Sequence, residues 1–290
     1  MAGGRRPPGD PAVDTGLGDG ASHATPLTFR VALRRIGTVV VLTAAVLALG
    51  AANGVGPLAQ VTPPDQVTDP REMLARSLQA TIDASSVHLE ASVTGHVPGA
   101  LVGRADPAVE LNGTLATMDL RPQDARSHLL VTSAPLGIQL ESLSLWDKLA
   151  YRQPDGPWAS GSVAGVVAGK GIDANPMTLV DRLRAWLTAP GAPAPTATDV
   201  PCAAPSGRCR QIRLAAGSTP GDLLLRPFPS GGAASIGPTT TDVLLQTDAA
   251  TLQPSRLVLD VRNADSTLAV TVTIDASNWD WPSVIPEPPG

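Results

Sequence analysis

The two cysteines are the residues whose type and spacing most directly indicate chemistry. Cys202 and Cys209 are the only cysteines in the chain, and the sequence between and around them is PCAAPSGRC. A short loop with Pro and Gly brings two thiols together, whereas a C-x-x-C redox pair has two intervening residues and a metal site needs further ligands nearby. We therefore predict a structural disulfide between Cys202 and Cys209, formed in an oxidising compartment.

The remaining catalytic motifs lack a residue that their chemistry requires. Residues 165–171 (GVVAGKG) look like a phosphate-binding loop, but the glycine spacing is one residue short and Gly171 stands where Mg²⁺ binding needs Ser or Thr. Ser160 and Ser162 have no G-x-S-x-G context. No H-E-x-x-H or i, i+4 pair occurs among the four histidines, His23, His88, His96 and His128. We expect a protein that is not an enzyme, needs no cofactor or metal, and works through apolar surface.

The elements that would position such a surface are mostly strands. Apolar and polar residues alternate with period two, as in strands that are half-buried. A turn is predicted at residues 248–254, and Asn112-Gly113-Thr114 reads as a turn in preference to a glycosylation sequon. The predicted strands are residues 87–94, 138–145, 148–153, 243–247, 256–262 and 267–275.

Two helices interrupt the strands. The first begins at Asp69-Pro70, with Glu72 three residues after the capping position, and the second begins at Asn175-Pro176. Each has one apolar stripe, typical of a helix that packs on a sheet. The order of helix, strands, helix and strands predicts an α+β fold, a large antiparallel sheet with helices on one face.

One segment is long and apolar enough to span a membrane. Residues 36–56 carry no charge, and Arg30, Arg34 and Arg35 precede them, so the positive-inside rule places the N-terminus in the cytoplasm and the body outside. A cleaved signal peptide is the alternative, with Ala48-Leu49-Gly50 as the cleavage candidate. We therefore divide the chain into a disordered cytoplasmic arm (residues 1–35), a transmembrane or signal-anchor helix (36–56), a linker (57–68) and an extracytoplasmic domain (69–290).

Composition and charge exclude several classes of protein. The chain has 290 residues, of which 43% are hydrophobic and 16% charged, which argues against a fully disordered chain and against a polytopic membrane protein. The formal net charge is −5, and the residues before position 57 contribute +2, so the body carries −7. Because phosphate binding needs a basic surplus, we expect no nucleic-acid partner.

Five segments of the body follow one another in a recognisable order: SSVHLEASVTG (85–95), LNGTLATMDLRP (111–122), LWDKLAYRQPDGPW (145–158), VLLQTDAATLQPSRLVLDV (243–261) and NWDWPSVIPEPP (278–289). In this order they resemble the LppX/LprA/LprF/LprG group of actinobacterial envelope lipoproteins, relatives in fold of the LolA/LolB carriers and of RseB. The resemblance covers residues 69–289, although the lipobox cysteine of that group is absent.

The resemblance implies a curved antiparallel β half-barrel, LolA-like and covered by helices, with an apolar cavity for acyl chains of membrane lipids or lipoglycans. Trp146, Tyr151 and Trp158 would lie near the cavity mouth or simply pack, and the inward residues would line a hollow barrel or fill a solid core. The expected function is an extracytoplasmic, membrane-tethered lipid carrier with an envelope transport partner. The alternative is an RseB-like envelope sensor or scaffold. The candidate lining residues are Leu89, Val93, Leu140, Leu143, Trp146, Tyr151, Trp158 and Trp186.

Overall fold

The computed structural model describes residues 66–102, 104–124, 126–145, 148–162, 194–219 and 239–289. The N-terminal arm, the apolar segment 36–56, most of the linker and the second predicted helix lie outside these ranges. None of the described helices has the length and hydropathy of a membrane span.

The described strands form one large antiparallel sheet. The twelve strands are β1 Val87–Pro98, β2 Ala108–Glu110, β3 Thr114–Arg121, β4 Arg126–Ser133, β5 Ile138–Leu145, β6 Lys148–Arg152, β7 Ala159–Ser162, β8 Thr196–Pro201, β9 Arg208–Thr219, β10 Thr239–Asp248, β11 Pro254–Asn263 and β12 Ala269–Ser277. They follow the order β7-β6-β5-β4-β3-β1-β12-β11-β10-β9-β8, and β2 pairs beside this path with β1. The edge strands β7 and β8 do not pair with each other, so the described sheet is open.

The chain builds the sheet from its centre. β1 starts in the middle, and the strands from β3 to β7 run outward as a meander to one edge. The chain resumes at the other edge with β8 and returns strand by strand to β12, which pairs with β1 in the register Val93↔Val272. The first and last strands of the domain are therefore hydrogen-bonded neighbours at the centre of the sheet.

Strand alternation gives the sheet one apolar and one polar face. We call inner face the one that carries Leu89 and Val93 of β1, and outer face the one that carries His88 and Glu90. The pairings that join β4, β3, β1 and β12 in the sheet keep this assignment of faces, as the register Ala91↔Ala116 illustrates. Because a shift of one residue would exchange the faces, the alternation and the register specify each other.

One α-helix, α1 (Pro70–Asp83), is present in the described part of the chain. Asp69 caps it by accepting a hydrogen bond from the backbone N of Arg71 at 3.0 Å, and Pro70 occupies the first turn, where its missing N–H costs nothing. Its apolar stripe, which includes the buried Met73 and Leu74, packs on the inner face against β9 and β11. This helix was predicted from the sequence with the same cap.

The turn between β2 and β3 has the conformation expected for Asn-Gly. Gly113 has a positive φ of 85°, and the Asn112 side chain accepts a hydrogen bond from the backbone N of Gly95 at 3.1 Å. Gly95 itself has a φ of 103°, and a Cβ there would clash with the carbonyl oxygen of Ala269 on β12. Both glycines therefore fit the place where β1 changes partner from β3 to β2.

The predicted disulfide is confirmed. Cys202 and Cys209 are bonded, with their Cα atoms 5.8 Å apart, and they close the turn between β8 and β9. The buried carboxylate of Asp248, at the end of β10, accepts a hydrogen bond from the backbone N of Ser206 in this loop at 3.0 Å. The loop is thus fastened both by the sulfur bridge and by a neighbouring turn.

All six predicted strands are present, within a few residues of the predicted bounds. Six further strands come in addition and extend the sheet on both sides of its centre: β2, β3, β4, β7, β8 and β9. The large antiparallel sheet of the α+β prediction is confirmed, whereas the second covering helix and the N-terminal helix lie outside the described residues.

Candidate functional site

The inner face is an apolar surface to which most of the described strands contribute. At its centre the side chains come from β1, β3 and β12, and Val93 and Val272 are 2% and 0% exposed. Small residues lie beside them, since Ala91 of β1 is directly opposite Ala116 of β3. The other buried inner-face residues of this cluster include Leu89, Met118, Leu120, Leu129, Val131, Ile138, Leu140, Leu259, Val261, Val270 and Ile274.

A second apolar cluster lies on the same face toward β8. It joins Met73 and Leu74 of α1 to Ile212 and Leu214 of β9 and to Leu245 of β10. Two further residues, Val243 and Leu257, pack against both clusters. The inner face is therefore continuously apolar from β5 to β9, and α1 lies on its β9–β11 part.

The hydroxyl groups on the β3–β5 part of the inner face satisfy one another. Thr114 and Ser133 are paired across β3 and β4 at 2.7 Å between their oxygens, and both are buried. Ser127 and Ser144 are paired across β4 and β5 at 2.6 Å. These pairs remove the cost of burying hydroxyls and leave the surrounding surface apolar.

The outer face is polar and carries ion pairs between neighbouring strands. Arg256 donates to Asp275 at 2.6 Å, and the hydrogen bond and charge of Asp275 raise the pKa of the Arg256 guanidinium. His88 lies 2.7 Å from Asp119 on the next strand. Burial lowers the pKa of His88, but the hydrogen bond and charge of Asp119, together with Glu90, outweigh it, and the net pKa is raised.

A three-residue polar cluster lies on the outer face of β4–β6. Glu141 accepts from Arg152 Nε at 2.6 Å and lies 3.0 Å from His128 Nε2. Burial raises the pKa of Glu141, but the hydrogen bonds of Arg152 and His128 outweigh this effect, and the net pKa is lowered. Arg152 also stacks over the ring of Trp158, 4.6 Å from its centroid. Each member of the cluster is held by its neighbours, as in a structural ion-pair network.

The structure places four of the predicted lining residues on the inner face. Leu89, Val93 and Leu140 are buried there, and the half-buried Tyr151 packs against the same cluster. Trp158 is half-buried beside Arg152, whose side chain belongs to the outer face. Trp146 and Trp186 lie outside the described residues.

Leu143 lies on the opposite face from Leu140. The pairing of β4 with β5 is unbroken from Ile138 to Leu145, and Leu143 is opposite the outer-face residues His128 and Ala150. It is nevertheless only 4% exposed. The sequence pattern treated both leucines as inward, and the strict two-residue period of the strand separates them.

The C-terminal tail accounts for an apolar area on the outer face. Arg126 of β4 donates to the carbonyl oxygen of Ile285 at 3.1 Å, and Ser160 of β7 donates to that of Pro289 at 3.1 Å. The tail therefore runs from β4 to β7 across the face that carries Leu143. The buried Ile285 belongs to the same tail.

Sequence reasoning missed the inner-face residues of β3 and β4. The signal was present as alternation in residues 114–120, where Ala116 and Met118 point inward. Leu115 and Leu130 obscured it, because these leucines are on the outer face and are 55% and 43% exposed. No group of three or more metal-ligating side chains occurs within the described ranges.

No protein-family model and no curated protein matches this chain. Among solved structures, the chain is similar to the lipoprotein LppX of Mycobacterium tuberculosis, with 18% identity and a TM-score of 0.47 over 76% of this chain and 100% of LppX. A LolA superfamily protein of Nitrosomonas europaea matches with 9% identity and a TM-score of 0.29 over 75% of this chain and 96% of that protein. The MucA/MucB complex of Pseudomonas aeruginosa matches with 11% identity and a TM-score of 0.31 over 73% of this chain and 58% of the matched chain. The solved structures that this chain resembles thus include LppX and a LolA superfamily protein, the group whose resemblance the sequence had shown.

Proposed function

We propose that this protein is an extracytoplasmic carrier of acyl-chain lipids, tethered to the cell membrane by residues 36–56, and that it catalyses no reaction. The observation that carries the proposal is the continuous apolar inner face, set against an outer face that is polar and ion-paired. A curved sheet with this division would hold acyl chains on its concave side and face water on the other.

Lipid binding of this kind requires shape and apolar lining more than a polar motif. Burial of one acyl chain contributes about 0.8 kcal/mol per methylene, or on the order of 10 kcal/mol before the cost of association. The absence of a catalytic motif from the sequence agrees with such a function. The resemblance to envelope lipoproteins supports acyl chains of envelope lipids or lipoglycans as the ligand.

The tethered location has support from the sequence and from the disulfide. The apolar segment preceded by three arginines predicts export of the body. The bond between Cys202 and Cys209 is typical of an oxidising compartment. Both features suit delivery of lipid between the membrane and a partner in the envelope.

A test of the proposal is to fill the centre of the inner face. Ala91 and Ala116 are buried neighbours there, 6% and 5% exposed. In a hollow half-barrel, Ala91→Phe occupies space that an acyl chain would use, so uptake of a fluorescent fatty acid should fall while the fold stays stable. The matched control is Ser92→Phe, one residue along on the outer face.

A solid core gives the opposite result. Insertion of a phenyl ring into a filled interior costs about 1–3 kcal/mol of unfolding free energy through overpacking. Loss of stability in Ala91→Phe, combined with no uptake of the fatty acid by the wild type, would contradict the carrier function. The envelope sensor or scaffold would then become the leading hypothesis.

A further inference from the structure

Three successive threonines begin β10, and they differ in how their hydroxyls are satisfied. Thr240, on the outer face, donates to the carbonyl oxygen of Arg262 at 3.3 Å. Thr239 and Thr241, on the inner face, are 1% and 2% exposed, and neither hydroxyl has a hydrogen-bond partner among the described residues. Because buried polar groups in folded proteins are nearly always hydrogen-bonded, these two hydroxyls have unused binding capacity.

The described side chains beside β10 do not supply the missing partner. Thr239 is opposite Asn263 of β11 and Thr219 of β9, and the Asn263 side chain makes hydrogen bonds of 2.8 and 2.9 Å within the turn that joins β11 to β12. No polar side-chain atom is present on the two residues opposite Thr241, which are Val261 and Gly217. Among the described side chains, the neighbouring strands therefore hold no partner for these hydroxyls.

The hydroxyls on the β3–β5 part of the inner face, in contrast, are paired with one another. On β3–β5 the pairs Thr114–Ser133 and Ser127–Ser144 satisfy each other at 2.7 and 2.6 Å. Thr247, at the far end of β10, is also unpaired, but Val243 and Leu245 separate it from the other two. Thr239 and Thr241 thus form an adjacent unsatisfied pair on one strand.

The surroundings of the pair specify the chemistry that would complete it. Val261 is opposite Thr241 and Val243 follows it on the same face, so the two threonines lie at the margin of the apolar surface. A threonine hydroxyl donates one hydrogen bond and accepts others, and it carries no charge. These properties match an ester carbonyl or a hydroxyl group better than a carboxylate or a phosphate.

We propose that Thr239 and Thr241 form a polar subsite that hydrogen-bonds a neutral ester or hydroxyl group of the acyl-chain ligand. The inference rests on the carrier function proposed above and makes it more specific. The ligand class is an acyl chain with a neutral, uncharged polar group, and that group lies at the β10 end remote from Asp248.

The test compares two probes of equal chain length, 1-monopalmitoylglycerol and n-hexadecane. The full chain is immobilised on a resin, freed of detergent with cyclodextrin, and exposed to each probe from a cyclodextrin solution. Retained probe is extracted and quantified by mass spectrometry. We expect the double variant Thr239→Val and Thr241→Val to retain about tenfold less monopalmitoylglycerol than the wild type, because two modest hydrogen bonds are lost. Retention of hexadecane should not change.

Two controls separate binding from structure. Thr240→Val removes a hydroxyl from the outer face of the same strand and should leave the retention of both probes unchanged. Replacement of Thr239 and Thr241 by serine keeps the hydroxyls and should preserve monopalmitoylglycerol retention. Valine has nearly the shape of threonine, so the double valine variant should unfold at or above the wild-type temperature.

Three outcomes would overturn the subsite, and they are distinguishable. If the double valine variant retains monopalmitoylglycerol as the wild type does, the subsite fails and the carrier function stands. If the variant loses both probes and unfolds at a lower temperature, the threonines are structural. If the wild type retains neither probe, the subsite and the proposed function fail together.

Discussion

At the scale of single residues, Asp248 shows how a buried charge is used to hold two turns. Its carboxylate accepts hydrogen bonds from the backbone N of Ser206, Ala250 and Thr251 at 2.8–3.0 Å. Burial raises the pKa of Asp248, but the hydrogen bonds of Ser206 and of the turn outweigh it and leave the pKa lowered. The sequence shows only an Asp at the start of a turn, and the partner from the disulfide loop lies 42 residues away.

We expect Asp248→Asn to lower the free energy of unfolding by about 1–3 kcal/mol, because an amide nitrogen then faces backbone donors and the charge-assisted hydrogen bonds are lost. Chemical denaturation at neutral pH measures the change. Asp265→Asn is the matched control, since Asp265 accepts similar turn hydrogen bonds at the exposed surface. Equal losses of unfolding free energy in both variants would show that the contribution of Asp248 to stability does not depend on its burial.

His88 makes the free energy of unfolding depend on pH, and the sign of this dependence follows from the raised pKa of His88. A histidine with a raised folded pKa contributes stability that is fully present below its unfolded pKa, about 6.5, and that is lost as pH rises through the folded value. The difference in unfolding free energy between wild type and His88→Gln should therefore be largest in mildly acidic solution and decrease as the pH becomes alkaline. Denaturation midpoints at a series of pH values measure it, and a difference that grows with pH would contradict the assigned contact with Asp119.

At the scale of elements, six strands were predictable from the two-residue period of apolar and polar residues: β1, β5, β6, β10, β11 and β12. β3 and β4 were not, because exposed Leu115 and Leu130 put apolar residues on the outer face as well. Leu143 was assigned to the wrong face for a related reason: a tail more than a hundred residues later crosses the outer face of this part of the sheet, and no local pattern carries that contact.

The helix α1 was predictable from its cap and stripe, and its docking is testable. Met73 is 1% exposed and packs in the cluster that contains Ile212 and Leu245. We expect Met73→Ala to lower the unfolding free energy by about 2–5 kcal/mol, the range for large apolar residues truncated in a core. The control Arg71→Ala alters an exposed position of the same helix and should change the unfolding free energy by less than about 0.5 kcal/mol. Similar changes in both variants, measured by chemical denaturation, would mean that α1 does not pack as described.

At the scale of the whole molecule, the sequence predicted an antiparallel sheet but not the order of its strands. The central pairing of β1 with β12 joins residues nearly two hundred positions apart. In the sequence, only the order of the segments that resemble a known group indicated this pairing. The division into faces then follows from the register, with Val93 and Val272 opposite each other on the apolar side. Whether lipid occupies that side is the question on which the function depends.

Native mass spectrometry of residues 57–290, purified without detergent from the native host and followed by organic extraction, tests the carrier function most directly. A lipid carrier should co-purify with a stoichiometric amount of lipid, which organic extraction removes from the protein. Lipid-free protein that also takes up no added acyl probe would contradict it, and would mean that the inner face is filled by the protein itself.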